Sequence, residues 1–416
     1  MSILIKDVLH NNHITDVFID SKNFTQIAPD IKALADITIN GKNKAILPAF
    51  YNMHTHAAMN LFKGLSDDKE LFDWLQNDIW PREEKLDAEM IYHGTRLAIL
   101  EMIKSGTVGF FDMYGQQDGI IRAADEMGVR AGVTAVAIDM FDPAETKSHI
   151  EKIENYFSDF TTPSPSRIFK ALSAHAVYTV SKTLFRFVTE TVEKYDTLLN
   201  VHACETQKEV DDCYKYNNCS PIELLEKHRL IGPKTILAHS VFLSDKDIDI
   251  ILKNGATVCT NPASNLKLTS GIFSLQKLLD KGVKVTLGTD GSASNNSVNM
   301  ITEMKFCSLL AKIKTMDPKA GKAEDVFKLA TVNGAEAMGF DTGVIAEGKL
   351  ADCILVDLKN PLMVPNYNII SNMVYSADSS VVDTVICNGK VLMQNRHVDG
   401  EDEIIATAKD VAKKLL

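Results

Sequence analysis

The chain has no apolar run long enough to span a bilayer, no arginine-rich leader and no pair of cysteines at CxxC spacing. The first absence argues against a membrane segment. With the second it argues against a targeting peptide in residues 1–8, so the expected location is cytoplasmic. The odd number of cysteines, Cys204, Cys213, Cys219, Cys259, Cys307, Cys353 and Cys387, are scattered along the chain. They fit neither a disulfide framework nor a paired-thiol metal site, and read as reduced, mostly buried thiols without a catalytic role. Positive charge is also short. With 44 basic against 55 acidic residues the formal charge is −11, which repels phosphate backbones and anionic membrane surfaces, so neither nucleic acid nor membrane is an expected partner. No internal repeat or low-complexity linker is visible.

What is present is an ordinary globular composition, 45% hydrophobic and 24% charged over 416 residues, enough for one large domain and a smaller one. From about residue 46 to 345, short β-branched runs alternate with longer helical segments, the pattern of a parallel sheet. Eight runs can be counted, at 45–56, 108–113, 130–138, 168–175, 198–202, 235–239, 256–261 and 283–290. Several end in a residue able to bind metal or move protons: His54 and His56, His175, His202, His239 and Asp290. Active sites of (β/α)₈ barrels gather at the C-terminal ends of the strands, so this repetition predicts such a barrel. The flanks, 3–44 and 343–397, read as short strands and turns with little helix. A turn at 343–352 feeds a buried strand at 353–356, and a packing helix is expected over 403–416. The expected division is a composite β domain from 1–47 and 346–416 around a barrel at 48–345.

His54-Thr55-His56 places two imidazoles on one side of an extended chain, because residues two apart share a face. Alone that pair is a weak signal. Joined by His202 and by Asp290 in Leu287-Gly-Thr-Asp-Gly291, it gives three imidazoles and a carboxylate, a set suited to one divalent metal, zinc before others, with a position left for water. A two-metal site needs a bridging group at the end of the fourth strand. The nearest candidate, Lys170, falls about 17 Å before His175 on an extended strand, near the wrong end of a barrel.

The segments Pro48-Ala-Phe-Tyr-Asn-Met-His-Thr-His56, Trp74-Leu75 with Ile79-Trp-Pro-Arg-Glu83, His202-Ala-Cys-Glu205, Leu237-Ala-His239, Asn261-Pro-Ala-Ser-Asn-Leu-Lys-Leu268 and Gly288-Thr-Asp-Gly-Ser-Ala-Ser-Asn-Asn296 together resemble the amidohydrolase superfamily. Within it they resemble the deaminases of S-adenosylhomocysteine, methylthioadenosine and related adenosines. The resemblance spans nearly the whole chain. It implies a TIM-type (β/α)₈ barrel with a small composite β-sandwich from both termini, and metal ligation by His54, His56, His202 and Asp290. It also implies release of ammonia from an adenosine-type nucleoside to leave the inosine analogue, and a homo-oligomer. The alternative enzyme reading is deamination or dechlorination of a guanine, pterin or triazine ring with the same metal site. A binding protein on a degraded barrel is disfavoured because every expected metal and proton-transfer position is filled.

The roles follow from that resemblance. A bound metal lowers the pKa of a water to roughly 7, and Asp290 is placed to accept its proton and pass one to the departing nitrogen; the alternative is a ligand only. Glu205, protonated, would donate to the ring nitrogen beside the attacked carbon, or else be a helix-start carboxylate. His239 would polarise the water or stabilise the tetrahedral centre, against a hydrogen-bonded core histidine. His175 is expected to face the substrate, with a buried polar cap as its alternative. Glu83 matches a glutamate for ribose hydroxyls, since two acceptor oxygens suit a vicinal diol, whereas an exposed loop carboxylate is the plain reading. Relatives acting on S-adenosylhomocysteine are expected to offer arginine to its carboxylate. Ala135 falls at such a position, residues 139–157 contain no arginine, and Lys147 is the nearest substitute unless a neighbouring subunit supplies one.

Overall fold

The computed structural model describes residues 1–158 and 166–415. The eight expected runs all contain strands. These are β1 (Phe50–Thr55), β2 (Thr107–Asp112), β3 (Arg130–Ala137), β4 (Ile168–Ala176), β5 (Leu199–Ala203), β6 (Thr235–His239), β7 (Thr257–Thr260) and β8 (Lys284–Leu287). They pair in parallel and in sequence order, with helices in the connections. Strands covered on both faces need apolar residues at every position, and β1, β2 and β5 to β7 are buried along their whole length.

The first and last strands are not laddered to each other residue by residue. The seam is closed just beyond them, where the N–H groups of Thr289 and Asp290 donate to the His54 carbonyl at 3.2 and 2.9 Å. Across the same gap the Asn52 amide donates to the Thr289 hydroxyl and accepts from the Thr289 N–H, and the Thr55 hydroxyl donates to the Asp290 carbonyl. Gly288 is required here, since a Cβ would stand 2.8 Å from the His54 nitrogen and 2.6 Å from Asn261 Oδ1.

The run at 45–56 holds two strands rather than one. Lys44–Pro48 pairs antiparallel with Cys353–Asp357, and the chain then turns at Ala49 into β1. The turn expected at 343–352 does feed a buried strand, Cys353–Asp357. Strands from both ends of the chain make one mixed sheet of eight, separate from the barrel sheet. It bends at a bulge between Ile5 and Val8 and encloses its own small core of Ile3, Ile5, Val17, Phe24, Leu355 and Ile386. The flank is less free of helix than its pattern suggests, with Ile369–Tyr375 helical. The last helix is Glu401–Lys413, and the expected end at Leu416 lies outside the described residues. Among the described residues, no helix is long and apolar enough to cross a membrane.

A buried ion pair ties sheet to barrel. Arg130, the first residue of β3, gives two bonds to Asp352, at 2.7 and 3.0 Å, and a third to Asn388. Asp352 also accepts the Tyr51 hydroxyl and the Asn388 N–H. Removing one partner strands a buried charge, which costs about 3–5 kcal/mol. Asp352→Ala is therefore expected to lower unfolding stability by that amount in urea denaturation; a loss below about 1 kcal/mol would show that the pair behaves as if solvated.

Candidate active site

A parallel barrel points all its strand ends to one rim, and that rim collects the predicted residues. His54 lies on β1 with His56 just beyond it, His175 is near the end of β4, His202 is on β5 and His239 ends β6. Asp290 and Glu205 follow β8 and β5 by a few residues. His56, His175, His202, Glu205, Asp290 and Glu83 line a cavity of about 590 Å³. His54 and His239 stand behind them, buried.

The donor atoms converge. His202 Nε2 is 3.1 Å from His54 Nε2, while Asp290 Oδ1 is 3.1 Å from His56 Nε2 and 3.6 Å from His54 Nε2. Two triads, His54–His202–His239 and His54–His56–Asp290, each hold their donor atoms within 4.8 Å of one another. His54 belongs to both, and His239, which was not among the four expected ligands, joins the first. Four imidazoles and a carboxylate in a buried site suit a divalent metal of the zinc type. The protonation states agree. Burial, with neighbouring imidazoles adding to it, keeps His202 well below its ordinary value, and burial takes His54 down to about 4, so both present lone pairs. Burial opposes charge on His56 and Asp290 as well, but their contact overrides it. Asp290 stays well below the usual carboxylate range and His56 is lifted to about 9, a proton that a bound cation would displace.

Second partners fix His54, His56, His239 and Asp290, and these the sequence reading missed. His54 Nδ1 meets Asn200 Oδ1 at 2.8 Å, His239 Nδ1 meets Asn265 Oδ1 at 2.8 Å, and His56 Nδ1 meets the Met113 carbonyl at 2.6 Å. In each case the other ring nitrogen is left to the site. Asp290 Oδ2 accepts from Ser264 at 2.6 Å and Ser294 at 2.9 Å. Four non-glycine residues here, Cys204, His239, Ser240 and Asp290, adopt left-handed backbone angles, the kind of strain that clusters at functional sites. One device holding it is Glu209, whose two carboxylate oxygens accept the N–H groups of Cys204 and Glu205 at 2.9 and 2.8 Å. The available signal was a carboxylate in the first turn of the helix Gln207–Asn217, placed to reach back to the N–H groups before it.

Glu205 is buried, and burial pushes its carboxyl above the ordinary value, partly offset by His239 at 3.9 Å. Ser270 donates to it at 3.3 Å. His175 donates to or accepts from Thr179 at 2.9 Å and stacks edge-on to His202. Glu83 ends a helical stretch over 71–83 that widens to a π-type turn at Leu75–Ile79 before Pro81, a distortion frequent at functional sites. Burial raises the Glu83 carboxyl too, and Tyr114 is beside it. Lys170 lines an opening at the other end of the barrel with Lys234 and Lys284. Lys147 is mostly exposed, 3.8 Å from Glu151, and does not line the cavity, so it is no substitute for an arginine there. The helix Pro143–Phe157 turns His149 and Lys152 to the cavity instead.

Residues 45–392 match the family model described as the amidohydrolase family. The chain belongs to that family. Among similar amidohydrolases is a 5-methylthioadenosine/S-adenosylhomocysteine deaminase of Thermococcus onnurineus, 42% identical over 96% of this chain and 95% of its own length. A 5'-deoxyadenosine deaminase of Methanosphaera stadtmanae is 39% identical over 100% and 99%. An adenosine deaminase structure from Xanthomonas campestris with bound zinc superposes with a TM-score of 0.91 at 28% identity, covering 100% of this chain and 98% of that one.

Glu209→Gln replaces one acceptor with an amide that cannot accept from the second N–H. An unsatisfied buried donor costs about 1–3 kcal/mol, and that loss is expected in chemical denaturation of this amidohydrolase. Unchanged stability would show that the turn holds itself.

Proposed function

We propose that the protein hydrolyses the exocyclic amine of an adenosine-type nucleoside, giving ammonia and the inosine analogue. The observation that carries this reading is near-full-length similarity, at about 40% identity, to deaminases named for methylthioadenosine, S-adenosylhomocysteine and 5'-deoxyadenosine. The donor set supports it. His54, His56, His202 and Asp290 would hold one zinc-type ion, which when bound supplies the Lewis acidity that activates water for attack.

The chain's own groups move the protons. Glu205, its carboxyl pushed toward the protonated form by burial, donates to the ring nitrogen next to the attacked carbon, so the charge pushed onto the ring is neutralised as it forms. Asp290, oriented by two serine hydroxyls, takes a proton from the attacking water and returns one to the departing nitrogen. His239, its tautomer set by Asn265, hydrogen-bonds the new oxygen. His175 faces the ring, and Glu83 accepts from the ribose hydroxyls. The aromatic and aliphatic wall of Trp74, Leu75, Trp80 and Leu86 keeps water from the base. The test is ammonia release by zinc-loaded protein from adenosines set beside guanine, pterins and triazines. Activity on the adenosines is expected, with Glu205→Gln keeping one equivalent of metal by elemental analysis and losing about 10²- to 10⁴-fold in kcat. Turnover of triazines alone, or a Glu205→Gln variant within about threefold of the parent, would overturn the reading.

The far wall sets the preferred 5′-substituent. Ala135, Val136, Ile138 and Ile153 line it, and no arginine does among the described residues. His149 is held neutral by burial, its Nδ1 on the Val136 carbonyl. Lys152 presents an ammonium without the two-pronged geometry a carboxylate favours. The missing charge-assisted pair, about 1.5–3 kcal/mol, corresponds to roughly ten- to a hundredfold. Methylthioadenosine and 5'-deoxyadenosine are expected to be processed at least as well as S-adenosylhomocysteine. A tenfold higher kcat/KM for S-adenosylhomocysteine would show that a cation does bind its carboxylate.

A further inference from the structure

Glu303, in the first turn of the helix Met300–Thr315, is buried, and no cation stands among its partners. Burying a carboxyl in that way is costly, and packing alone would be served by an apolar residue of its size. Its two oxygens instead take one donor each from two short helical turns at the rim, Pro262–Lys267 and Ser292–Asn295. Oε2 accepts the Ala263 N–H at 3.0 Å, and Oε1 accepts the Asn295 side-chain amide at 2.8 Å. The same Asn295 nitrogen donates to the Thr289 carbonyl at 2.6 Å.

Each donor sits one residue from a group that holds the site. Ser264 follows Ala263 and Ser294 precedes Asn295, and their hydroxyls lie 2.6 and 2.9 Å from Asp290 Oδ2 and 3.0 Å from each other. One residue beyond Ser264, Asn265 meets His239 Nδ1. Glu303 thus joins the two segments that close on Asp290, with no hydrogen bond to Asp290 itself. We propose that Glu303 is a positioning residue, a brace that keeps the serine pair closed on Oδ2 and so aims Oδ1 at His54 and His56. The polarity of the brace is fixed. Asn295 Nδ2 faces two acceptors, Glu303 Oε1 and the Thr289 carbonyl, so its amide cannot be turned over to suit a donor at position 303. A glutamine there would offer one acceptor to two donors. The kinetic consequence rests on the deaminase reading, with Asp290 carrying the proton; the consequence for zinc affinity rests on the donor geometry alone.

Glu303→Gln, Asn295→Ala and the two combined test this in full-length, zinc-loaded protein, held below the melting transition of each variant. Each single change is expected to lower kcat for deamination about tenfold with KM within about threefold, and to weaken zinc binding about tenfold in competition with a chelator. In the double variant the glutamine oxygen is free to take the Ala263 N–H while its amide fills the space left by Asn295. The losses are then expected to equal those of Asn295→Ala rather than multiply. A residue that only packs the helix would lower the melting temperature and leave kcat, KM and the zinc affinity of the folded protein unchanged. That result, or losses that multiply in the double variant, would overturn the proposal. Asn295 is partly exposed, so its variant reads the brace even if Glu303→Gln does not fold. A parent inactive on adenosines counts against the deaminase reading, and the zinc measurement then decides the role of Glu303.

Discussion

Closing the barrel and building the metal site are one event. The N–H of Asp290 donates to the carbonyl of His54, so the contact that brings the last strand of the sheet to the first also sets a carboxylate beside two imidazoles. Residues 236 positions apart in sequence become neighbours through a backbone bond. Any loosening of that seam moves a donor. The polar side chains lining it are buried: Asn52 is bonded to Thr289, and the hydroxyls of Thr55 and Thr289 both donate to the Asp290 carbonyl, and such networks specify one arrangement only when every member is satisfied.

The same burial that makes the site selective makes it electrostatically demanding. Charged groups are disfavoured in a dry cavity unless paired, and the residues sort accordingly: burial lowers His54 and His202 and raises the Glu205 carboxyl, while Asp290 is held well below the usual carboxylate range by its contacts with His54 and His56. Two carboxyls facing one cluster of imidazoles are therefore shifted in opposite directions, the arrangement from which an acid and a base can be told apart.

Much of this was legible beforehand, because strand ends in a parallel barrel are functional positions and the chemistry-bearing residues mark them. His54, His56, His175, His202, His239 and Asp290 could be read from that alone, and the family motifs added Glu205 and Glu83. The double strand within 45–56 could not, since the run Ala45-Ile-Leu-Pro-Ala-Phe-Tyr51 is apolar throughout and shows no change of period at Ala49. Asn200 and Asn265 were missed for another reason: their partners are ring nitrogens of His54 and His239, brought near by tertiary folding, and nothing in local patterning announces them. Lys147 failed on helical phase. It precedes His149 by two residues, about 200° around the helix, so it faces away from the cavity that His149 and Lys152 approach.

The sheet shared by both ends of the chain imposes an order on biosynthesis. Tyr51 and Asp352, bonded to each other in the buried clamp, are 301 residues apart, and Lys44–Pro48 finds its partner strand only at Cys353–Asp357. A ribosome adding about 5–20 residues per second leaves the early strands without that neighbour for tens of seconds. During that interval Lys44–Pro48 offers an open edge, the kind of surface on which nascent chains aggregate and chaperones act.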